Sequence, residues 1–277
     1  MRHNPTMPEL PEVETARRGI EPHVLGRTLA GAVVRNPSLR WPVPDTLDAE
    51  LAGRVVMALT RRGKYILVGL GDTHMLLHLG MSGSLSVVDA DTPPRKHDHV
   101  DILLGNGRAL RLHDPRRFGA VLLAPGAPEH HPLLRDLGPE PLDPGWDGKA
   151  LWQATRGRTA AIKTVIMDAH TVVGVGNIYA SEALFRAGIA PSKPAQRVSR
   201  VACERLAMAI RETLNEALAA GGSSLRDYVQ ANGDLGCFQL EHRVYGRDGK
   251  PCYACGSAIS ITRLGQRSTF WCPRCQR

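Results

Sequence analysis

The sequence predicts an α+β protein of several domains, and three observations lead to this expectation. Short strand-like segments fill the first half of the chain, helical spacing replaces them in the second half, and paired cysteines close it. A length of 277 residues and a hydrophobic fraction of 43% suffice for more than one folded core. We therefore expect an N-terminal β-sandwich that begins with a helix, then a helical domain, and a small metal-bound β-hairpin at the C-terminus.

The first half reads as regular short strands from about Val33 to Pro125, separated by Gly, Asp, Asn and Pro. Such spacing is typical of a β-sandwich or barrel. One helix is expected before the strands, from about Glu12 to Leu25, because Pro11 suits a first helical turn. The predicted strands are RVVMALT, KYILVGL, HMLLHLG, SLSVVDA, HVDILLG and FGAVLLA.

A stretch dense in Pro and Gly, residues 137–146, marks the expected domain boundary. Helical spacing follows in ALWQATRG, TAAIKTVIMDA, IYASEALFRAG and VACERLAMAIRETLNEALAAGG. The predicted domains are residues 7–137, 138–236 and 241–277. Glycines in residues 174–177 either let backbone N–H groups converge on a phosphate at a helix start or form a simple tight turn.

Charge and hydropathy indicate which partners the protein has and whether it spans a membrane. The formal net charge is +8, the pI is about 9.5, and arginines occur in short clusters, which modestly favours a polyanionic partner such as nucleic acid. No apolar run approaches the roughly 20 residues of a membrane span. We expect a soluble cytoplasmic protein.

Four of the six cysteines form one C-terminal pattern, Cys252-x₂-Cys255 and Cys272-x₂-Cys275, with sixteen residues between the pairs. This spacing predicts a four-thiolate structural zinc site. ISITR and STFW read as the strands of a hairpin between the pairs, and Arg267 lies near its tip. Spacing alone gives that arginine no role beyond a solvated charge. We interpret Cys203 and Cys237 as reduced bystanders.

Two loops of the first domain combine apolar and basic side chains. LHDPRRFGAV contains Arg116, Arg117 and Phe118, and HLGMSGSL contains Met81. Phe118 either wedges into a duplex beside the arginines or starts the next strand facing inward. Met81 is either a core residue or a second apolar wedge.

Three further polar residues are candidates for a role at a site. His97 and His99 in KHDHVD either face a phosphate or are partly buried and bonded to neighbours. Lys64 in TRRGKYILV begins a strand, where a lysine is usually only a surface residue.

The motifs together closely resemble the bacterial formamidopyrimidine-DNA glycosylase family. The resemblance runs from Met7 to Arg277 and rests on MPELPEVET, RRGKY, HLGMSGSL, KHDHVD, DPRRFGA, LGPEPL, VGVGNIYASEALF and the cysteine hairpin. It implies a bifunctional base-excision repair enzyme that removes 8-oxoguanine and formamidopyrimidines and then nicks the strand. It also implies a β-sandwich, a helix–two-turn–helix domain and a zinc finger, which act on double-stranded DNA with oxidised purines or abasic sites. Nothing in the sequence suggests an obligate dimer, and we expect a monomer.

The resemblance assigns four catalytic residues. Pro8 is the nucleophile, Glu9 the acid/base that opens the sugar ring, and Lys64 and Arg267 are proton donors in β- and δ-elimination. An α-amine has a pKa of about 7.7–8.0, against about 10.4 for lysine, so far more of it is neutral at pH 7. One structural Zn²⁺ on the four cysteines is the implied cofactor.

The resemblance also assigns the DNA contacts. Met81, Arg116 and Phe118 match the wedge that fills the gap left by the extruded base. Residues SSLRDY, 223–228, match a loop that closes over oxidised guanine. The implied phosphate contacts are His97, Arg117, Arg158 and Asn177.

The residues MRHNPT precede the usual start of this family. With them present, the Pro8 nitrogen is an internal amide without a lone pair to donate. Our hypothesis is that translation begins at Met7, whose removal exposes Pro8.

Two alternatives stay open. The related endonuclease VIII type prefers oxidised pyrimidines, although PELPEVE, the arginine–phenylalanine wedge and SSLRDY favour the purine branch. A non-catalytic, zinc-bearing DNA-binding protein is the other, if residues 1–6 are retained.

Overall fold

A computed structural model describes residues 8–221 and 242–277. The described residues group into two compact units, one of residues 8–135 and one of residues 136–220 with 242–277. Among the helices of these residues, none combines the length and the apolar character needed to cross a membrane.

The first unit opens with helix α1, Leu10–Val24, which starts two residues earlier than predicted. Pro11 occupies the first turn, and the backbone N–H of Glu9 donates to the Glu12 carboxylate over 2.9 Å. The helix buries one face, formed by Val13, Ala16, Ile20 and Val24. Their spacing of three or four residues is that of an amphipathic helix.

Two four-stranded antiparallel sheets form the predicted sandwich. The first has the order β1 (Leu29–Val34), β6 (Asp98–Leu104), β7 (Arg108–His113), β5 (Ser84–Asp89). The second has the order β2 (Ala58–Arg62), β3 (Tyr65–Gly69), β4 (Thr73–His78), β8 (Ala120–Pro125). Side chains of both sheets and of α1 form one core cluster, including Ile66, Leu77, Val100 and Leu112. A short helix α2, Leu47–Leu51, packs beside β1.

Two of these strands were absent from the prediction. β1 begins before Val33, the expected start of the strand region, and contains a bulge at Gly31. β7 contains Arg108 and Arg111, which interrupt the alternation of apolar and polar residues that predicts a strand. Arg111 is nevertheless buried, because its guanidinium donates to the Asp101 carboxylate of the neighbouring strand over 2.8 Å.

The second unit contains four helices and one hairpin: α3 (Gly148–Thr155), α4 (Ile162–Ile166), α5 (Asn177–Ala187), α6 (Arg200–Ala219), and β9 (Ser260–Leu264) with β10 (Arg267–Trp271). Asp147 and Ser199 cap α3 and α6 with their side chains. Gly188 ends α5 in the left-handed conformation, which glycine adopts readily. The four predicted helical segments and the hairpin are thus confirmed, although α4 is only five residues long.

The hairpin packs on α5 rather than standing alone. Its apolar side chains form a small cluster with Val244, and Phe185 of α5 packs against that cluster. Gln276 joins the two parts as well. Its side chain accepts from the Cys272 N–H and donates to the Ile189 carbonyl.

Candidate functional site

Pro8 and Glu9 lie immediately before α1 and are buried, with Glu9 only 2% exposed. Glu9 is the N-cap residue of α1, so the positive end of the helix dipole lies at its backbone. The bond between its N–H and the Glu12 carboxylate fixes the turn that carries Pro8. The pair is therefore held at a defined place in the first unit.

Lys64 lies in the two-residue turn Gly63–Lys64 between β2 and β3 and is partly buried. Glu14 of α1 joins the helix to this hairpin, because its carboxylate pairs with Arg61 at 3.3 Å and with Arg17 at 3.0 Å. Arg17 also donates to the Leu59 carbonyl of β2. The start of α1 and the Lys64 turn are thus tied together through packed, charged neighbours.

The Glu14 carboxylate is ionised in this setting. Burial alone would raise its pKa, but hydrogen bonds from Arg17 and Arg18 and the nearby Arg61 charge lower the pKa below the ordinary value. A permanent negative charge here balances the arginines under the hairpin. Lys64 lies at the tip of the same hairpin.

His78 lies opposite Tyr65 in the β3–β4 ladder, and the two rings are 4.7 Å apart. Burial and the charges of Lys64 and Arg40 lower the pKa of His78 to about 4. The neutral ring accepts a hydrogen bond at Nδ1 from the Gly80 N–H over 3.0 Å. His78 therefore holds the backbone that leads to Met81.

Met81, Arg116 and Phe118, here called the wedge residues, lie on two loops of the first unit that touch each other. A Cβ atom on Gly80 would be 2.3 Å from the carbonyl carbon of Phe118, so only glycine fits between the loops. Phe118 is 40% exposed and precedes β8, so the reading of an inward strand residue is wrong. The Arg116 guanidinium lies 5.1 Å from its ring centre. Met81 is partly exposed, outside the buried core.

The two histidines of KHDHVD have different environments. His99 is buried, and its Nε2 donates to the Asp114 carbonyl over 2.9 Å, as the structural reading predicted. His97 is partly exposed, with the rings of His99 and His113 at 6.2 and 6.0 Å. Of the two, His97 is the one with a surface that a phosphate can reach.

In the second unit, Asn177 is the first residue of α5, after Gly176. Its amide donates to the Ser268 carbonyl of β10 over 3.1 Å. Asn177 and the hairpin of Arg267 are therefore neighbours within this unit. Arg267 is exposed and pairs with Leu264 across the hairpin tip.

Arg158 bonds to side chains of its own unit. Its guanidinium pairs with the Asp168 carboxylate at 3.1 Å and donates to the Thr171 hydroxyl at 2.9 Å. It is only partly exposed. A phosphate would compete with Asp168 for this arginine.

Lys163 is a residue that the sequence prediction missed. It is 1% exposed, and its ammonium donates to Asn177 Oδ1 (2.7 Å), Thr269 Oγ1 (2.9 Å) and the Ser268 carbonyl (3.2 Å). One buried charge thus holds both the α5 start and the strand that follows Arg267. A lysine within the apolar segment TAAIKTVIM was the available signal.

Glu182 is a second missed residue. It lies on α5, 6% exposed, and accepts three backbone N–H groups over 2.8–2.9 Å. The donors are Arg243, Val244 and Tyr245. The carboxylate anchors the chain as it enters the hairpin region. No sequence pattern distinguished it from an ordinary helix-surface glutamate.

The four cysteines of the C-terminal pattern converge, with all four Sγ atoms within 4.8 Å of one another. Cys255 and Cys272 are 3.5 Å apart, and Cys252 and Cys275 are 3.9 Å apart. A tetrahedral zinc ion with bonds of about 2.3 Å needs sulfurs about 3.8 Å apart. The donor set fits one structural zinc, as predicted, and has no fifth ligand position to offer to a substrate.

Comparison with known proteins agrees with this geometry. The sequence matches the formamidopyrimidine-DNA glycosylase N-terminal domain over residues 7–121 and the H2TH domain of the same family over residues 137–229. Residues 249–277 match a zinc finger found in FPG and IleRS. The chain belongs to the formamidopyrimidine-DNA glycosylase family. The predicted resemblance, fold class and zinc site are confirmed.

Similar members of the family cover the chain almost completely. The formamidopyrimidine-DNA glycosylase of Thioalkalivibrio sulfidiphilus is 56% identical over 271 residues, 98% of this chain and 100% of the relative. Two structures of the Lactococcus lactis Fpg protein are 33% identical. One is a complex with DNA containing an abasic site, with TM-score 0.87 and 97% and 99% coverage of this chain and that one. The other is a complex with Fapy-dG DNA, with TM-score 0.86 and 97% and 100% coverage.

The Met7 and SSLRDY predictions concern residues outside the described ranges, as does the assignment of Cys237. Cys203 is buried in α6, and burial raises the pKa of its thiol. A protonated, enclosed thiol is consistent with a bystander.

Proposed function

We propose that this chain is a bifunctional DNA glycosylase and AP lyase of base-excision repair, which removes 8-oxoguanine and formamidopyrimidines and then nicks the strand. The observation that carries the proposal is membership of the family over both units, with Pro8–Glu9 held at the start of α1. The abasic-site and Fapy-dG complexes of the Lactococcus lactis protein support the same substrates here.

The proposed reaction begins with the Pro8 nitrogen. Its lone pair attacks C1′ of the damaged nucleotide, the glycosidic bond breaks, and the base leaves with a proton. Glu9 exchanges the proton that opens the sugar ring, and a secondary amine then yields an iminium ion directly. The iminium is the electron sink for loss of the C2′ proton and departure of the 3′ phosphate, and a second elimination releases the 5′ phosphate.

Lys64 and Arg267 are the proposed proton donors for the two eliminations. Lys64 is the cation at the tip of a turn braced by the ionised Glu14. Arg267 is exposed at the tip of a hairpin, and the four cysteine sulfurs of the metal site converge at the base of that hairpin. A bound zinc holds that hairpin in place, and Arg267 also grips a phosphate in this proposal.

The remaining proposed DNA contacts divide by role. The wedge residues fill the gap left by the extruded base, which offsets part of the few kcal/mol that extrusion costs. Four polar residues contact phosphates: His97, Arg117, Arg158 and Asn177. The net charge of +8 supports a partner with a phosphate backbone. We propose that one monomer binds one lesion, and that such a substrate places its action at the bacterial nucleoid.

This mechanism requires a free amine on Pro8, so we propose that the active chain begins there. The intact mass of the purified, active protein tests the proposal. A mass equal to that of a chain beginning at Pro8 would agree with the proposal, whereas the mass of an active chain that retains residues 1–7 would refute it. The three domain limits of the sequence analysis likewise stay predictions.

Borohydride reduction tests the amine independently. Wild-type protein should form a covalent adduct with duplex DNA containing 8-oxoguanine, and a Pro8→Gly chain should trap poorly. Release of 8-oxoguanine is compared with release of thymine glycol on matched duplexes. Faster release of thymine glycol would favour the pyrimidine-specific alternative, and binding to abasic DNA without nicking would favour a non-catalytic protein.

A further inference from the structure

Asp114 lies directly after β7 and is fully buried. It begins the turn that leads to the loop of Arg116, Arg117 and Phe118, here called the wedge loop. Its carboxylate accepts three hydrogen bonds. Oδ2 accepts from the Gly119 N–H at 2.7 Å, and Oδ1 accepts from the Ser82 hydroxyl at 3.2 Å and the Arg116 N–H at 3.3 Å. The Ser82 bond reaches the loop of Met81, and the other two close the loop of Arg116 and Phe118.

The backbone of Asp114 adds a third stretch to these two loops. Its N–H donates to the His97 carbonyl over 2.9 Å, and its own carbonyl accepts from His99 Nε2 over 2.9 Å. The same carbonyl accepts the Arg117 N–H at 3.2 Å. One buried residue therefore bonds to the stretches that carry Met81, the Arg116–Phe118 loop and His97.

The wedge loop needs such a support, because its backbone is strained. Among residues 8–221 and 242–277, Arg117 is the one non-glycine residue with a positive φ, at 56°. A side chain in the left-handed region costs energy that the surroundings must supply. The Asp114 carbonyl bonds the N–H of that same residue, and its carboxylate bonds the residues on either side of the Arg117–Phe118 pair.

We infer that Asp114 is a positioning residue, which sets the placement of the wedge residues relative to one another and thereby the rate of base extrusion. The inference rests on the proposed function. An ionised carboxylate accepts hydrogen bonds and donates none, so it suits three converging donors. An asparagine of nearly the same shape turns one acceptor into a donor, which opposes either the Arg116 N–H or the Gly119 N–H.

The test compares two substrates for the Asp114→Asn protein. One is a duplex with 8-oxoguanine opposite cytosine, in which a base must be extruded and the gap filled. The other is a single-stranded oligonucleotide with a preformed abasic site, which has neither a pair to open nor an opposite base. Single-turnover rates of base release and of nicking are measured at saturating protein.

We expect base release from the duplex to fall about tenfold or more, the equivalent of about 1.4 kcal/mol, because a buried donor loses its acceptor. Nicking of the single strand should change by less than about threefold, since the Pro8 chemistry is untouched. Asp143→Asn is the matched control. Its carboxylate accepts the Gly145 N–H at 2.8 Å in an exposed turn of the second unit, and its loss should affect neither rate.

Equal losses on both substrates, or no loss on either, would overturn the positioning role. If Asp114→Asn unfolds below the assay temperature, Ser82→Ala decides, because it removes only the bond that joins the Met81 loop. Ser82→Ala should slow duplex base release and spare single-strand nicking, and an unchanged duplex rate refutes the inference. Failure of the proposed function is separate, because wild-type protein would then release no 8-oxoguanine at all.

Discussion

Each unit contains an arginine-bearing turn whose backbone is hydrogen-bonded to a buried charged side chain. The buried group is an anion in the first unit and a cation in the second. The wedge loop, with Arg116 and Arg117, closes over the Asp114 carboxylate, which accepts its N–H groups. The hairpin of Arg267 rests on the Lys163 ammonium, which donates to its backbone and to Thr269. In both turns the arginines are exposed and the group that places them is not.

The difference lies in what else secures each turn. The wedge loop belongs to a sandwich with a large apolar core, whereas the hairpin has a cluster of a few side chains and four thiolates. Loss of the metal should therefore affect only the hairpin. In both places, substitution of the buried group should affect the protein more than substitution of an exposed partner.

Removal of zinc is the change with the largest expected effect. Structural zinc contributes about 10–16 kcal/mol of binding free energy in isolated fingers, and the apolar cluster of this hairpin contains only a few side chains. Cys272→Ser should lose the metal, and amide exchange in β9 and β10 should become fast while β3 and β4 stay protected. Zinc content and hydrogen exchange measure both parts. If the amides of β10 stay protected from exchange without metal, the hairpin does not depend on zinc.

Lys163→Met should have the next largest effect. It removes the shared donor of three acceptors, of which the Thr269 hydroxyl is fully buried, at a cost of about 2–4 kcal/mol in the free energy of unfolding of the second unit. Urea unfolding measures it, and weaker binding to abasic duplex should accompany it. Lys149→Met, at an exposed position of α3, is the matched control. A Lys163→Met protein as stable as the control would show that the buried ammonium is dispensable.

The pH dependence of the first unit should be smaller and traceable to His78. Its pKa is lowered to about 4 in the folded state, whereas an unfolded histidine has a pKa of about 6.5. Between these values the unfolded chain binds a proton that the folded chain does not. The free energy of unfolding should therefore fall as pH falls through this range, by at most about 1.4 kcal/mol per pH unit.

His78→Asn keeps an acceptor near the Nδ1 position and removes the titration. Urea unfolding at pH 7 and pH 5 should show wild-type stability falling more than that of the variant, by about 1–2 kcal/mol. Equal losses in the two proteins would mean that His78 is not the group responsible.

Arg158→Ala should have the smallest effect on stability. Its pair with Asp168 is partly exposed, and such pairs contribute about 0–1 kcal/mol. If Arg158 contacts a phosphate, the slope of log affinity against log salt should decrease by about one in the variant. An unchanged slope would restrict this arginine to its contact with Asp168.

The sequence predicted most of the fold and the exposed parts of the site. Strand alternation, helical spacing and the cysteine pairs carry information within a few residues. β7 escaped prediction because Arg111 breaks the apolar pattern, and its partner Asp101 is ten residues away in another strand. The sequence analysis did not identify three buried charged residues for the same reason: Asp114, Lys163 and Glu182. A buried charge is recognisable only through partners that the fold brings together.

The proposed chemistry depends on one atom, the Pro8 nitrogen, and mapping a trapped adduct identifies the atom that reacts. Wild-type protein is reduced with borohydride on 8-oxoguanine duplex, digested with protease and nuclease, and the modified peptide is sequenced by mass spectrometry. We expect a sugar remnant on the nitrogen of Pro8, at the first position of the peptide. A remnant on Lys64 or another lysine, or on a peptide that still carries residues 1–7, would contradict it.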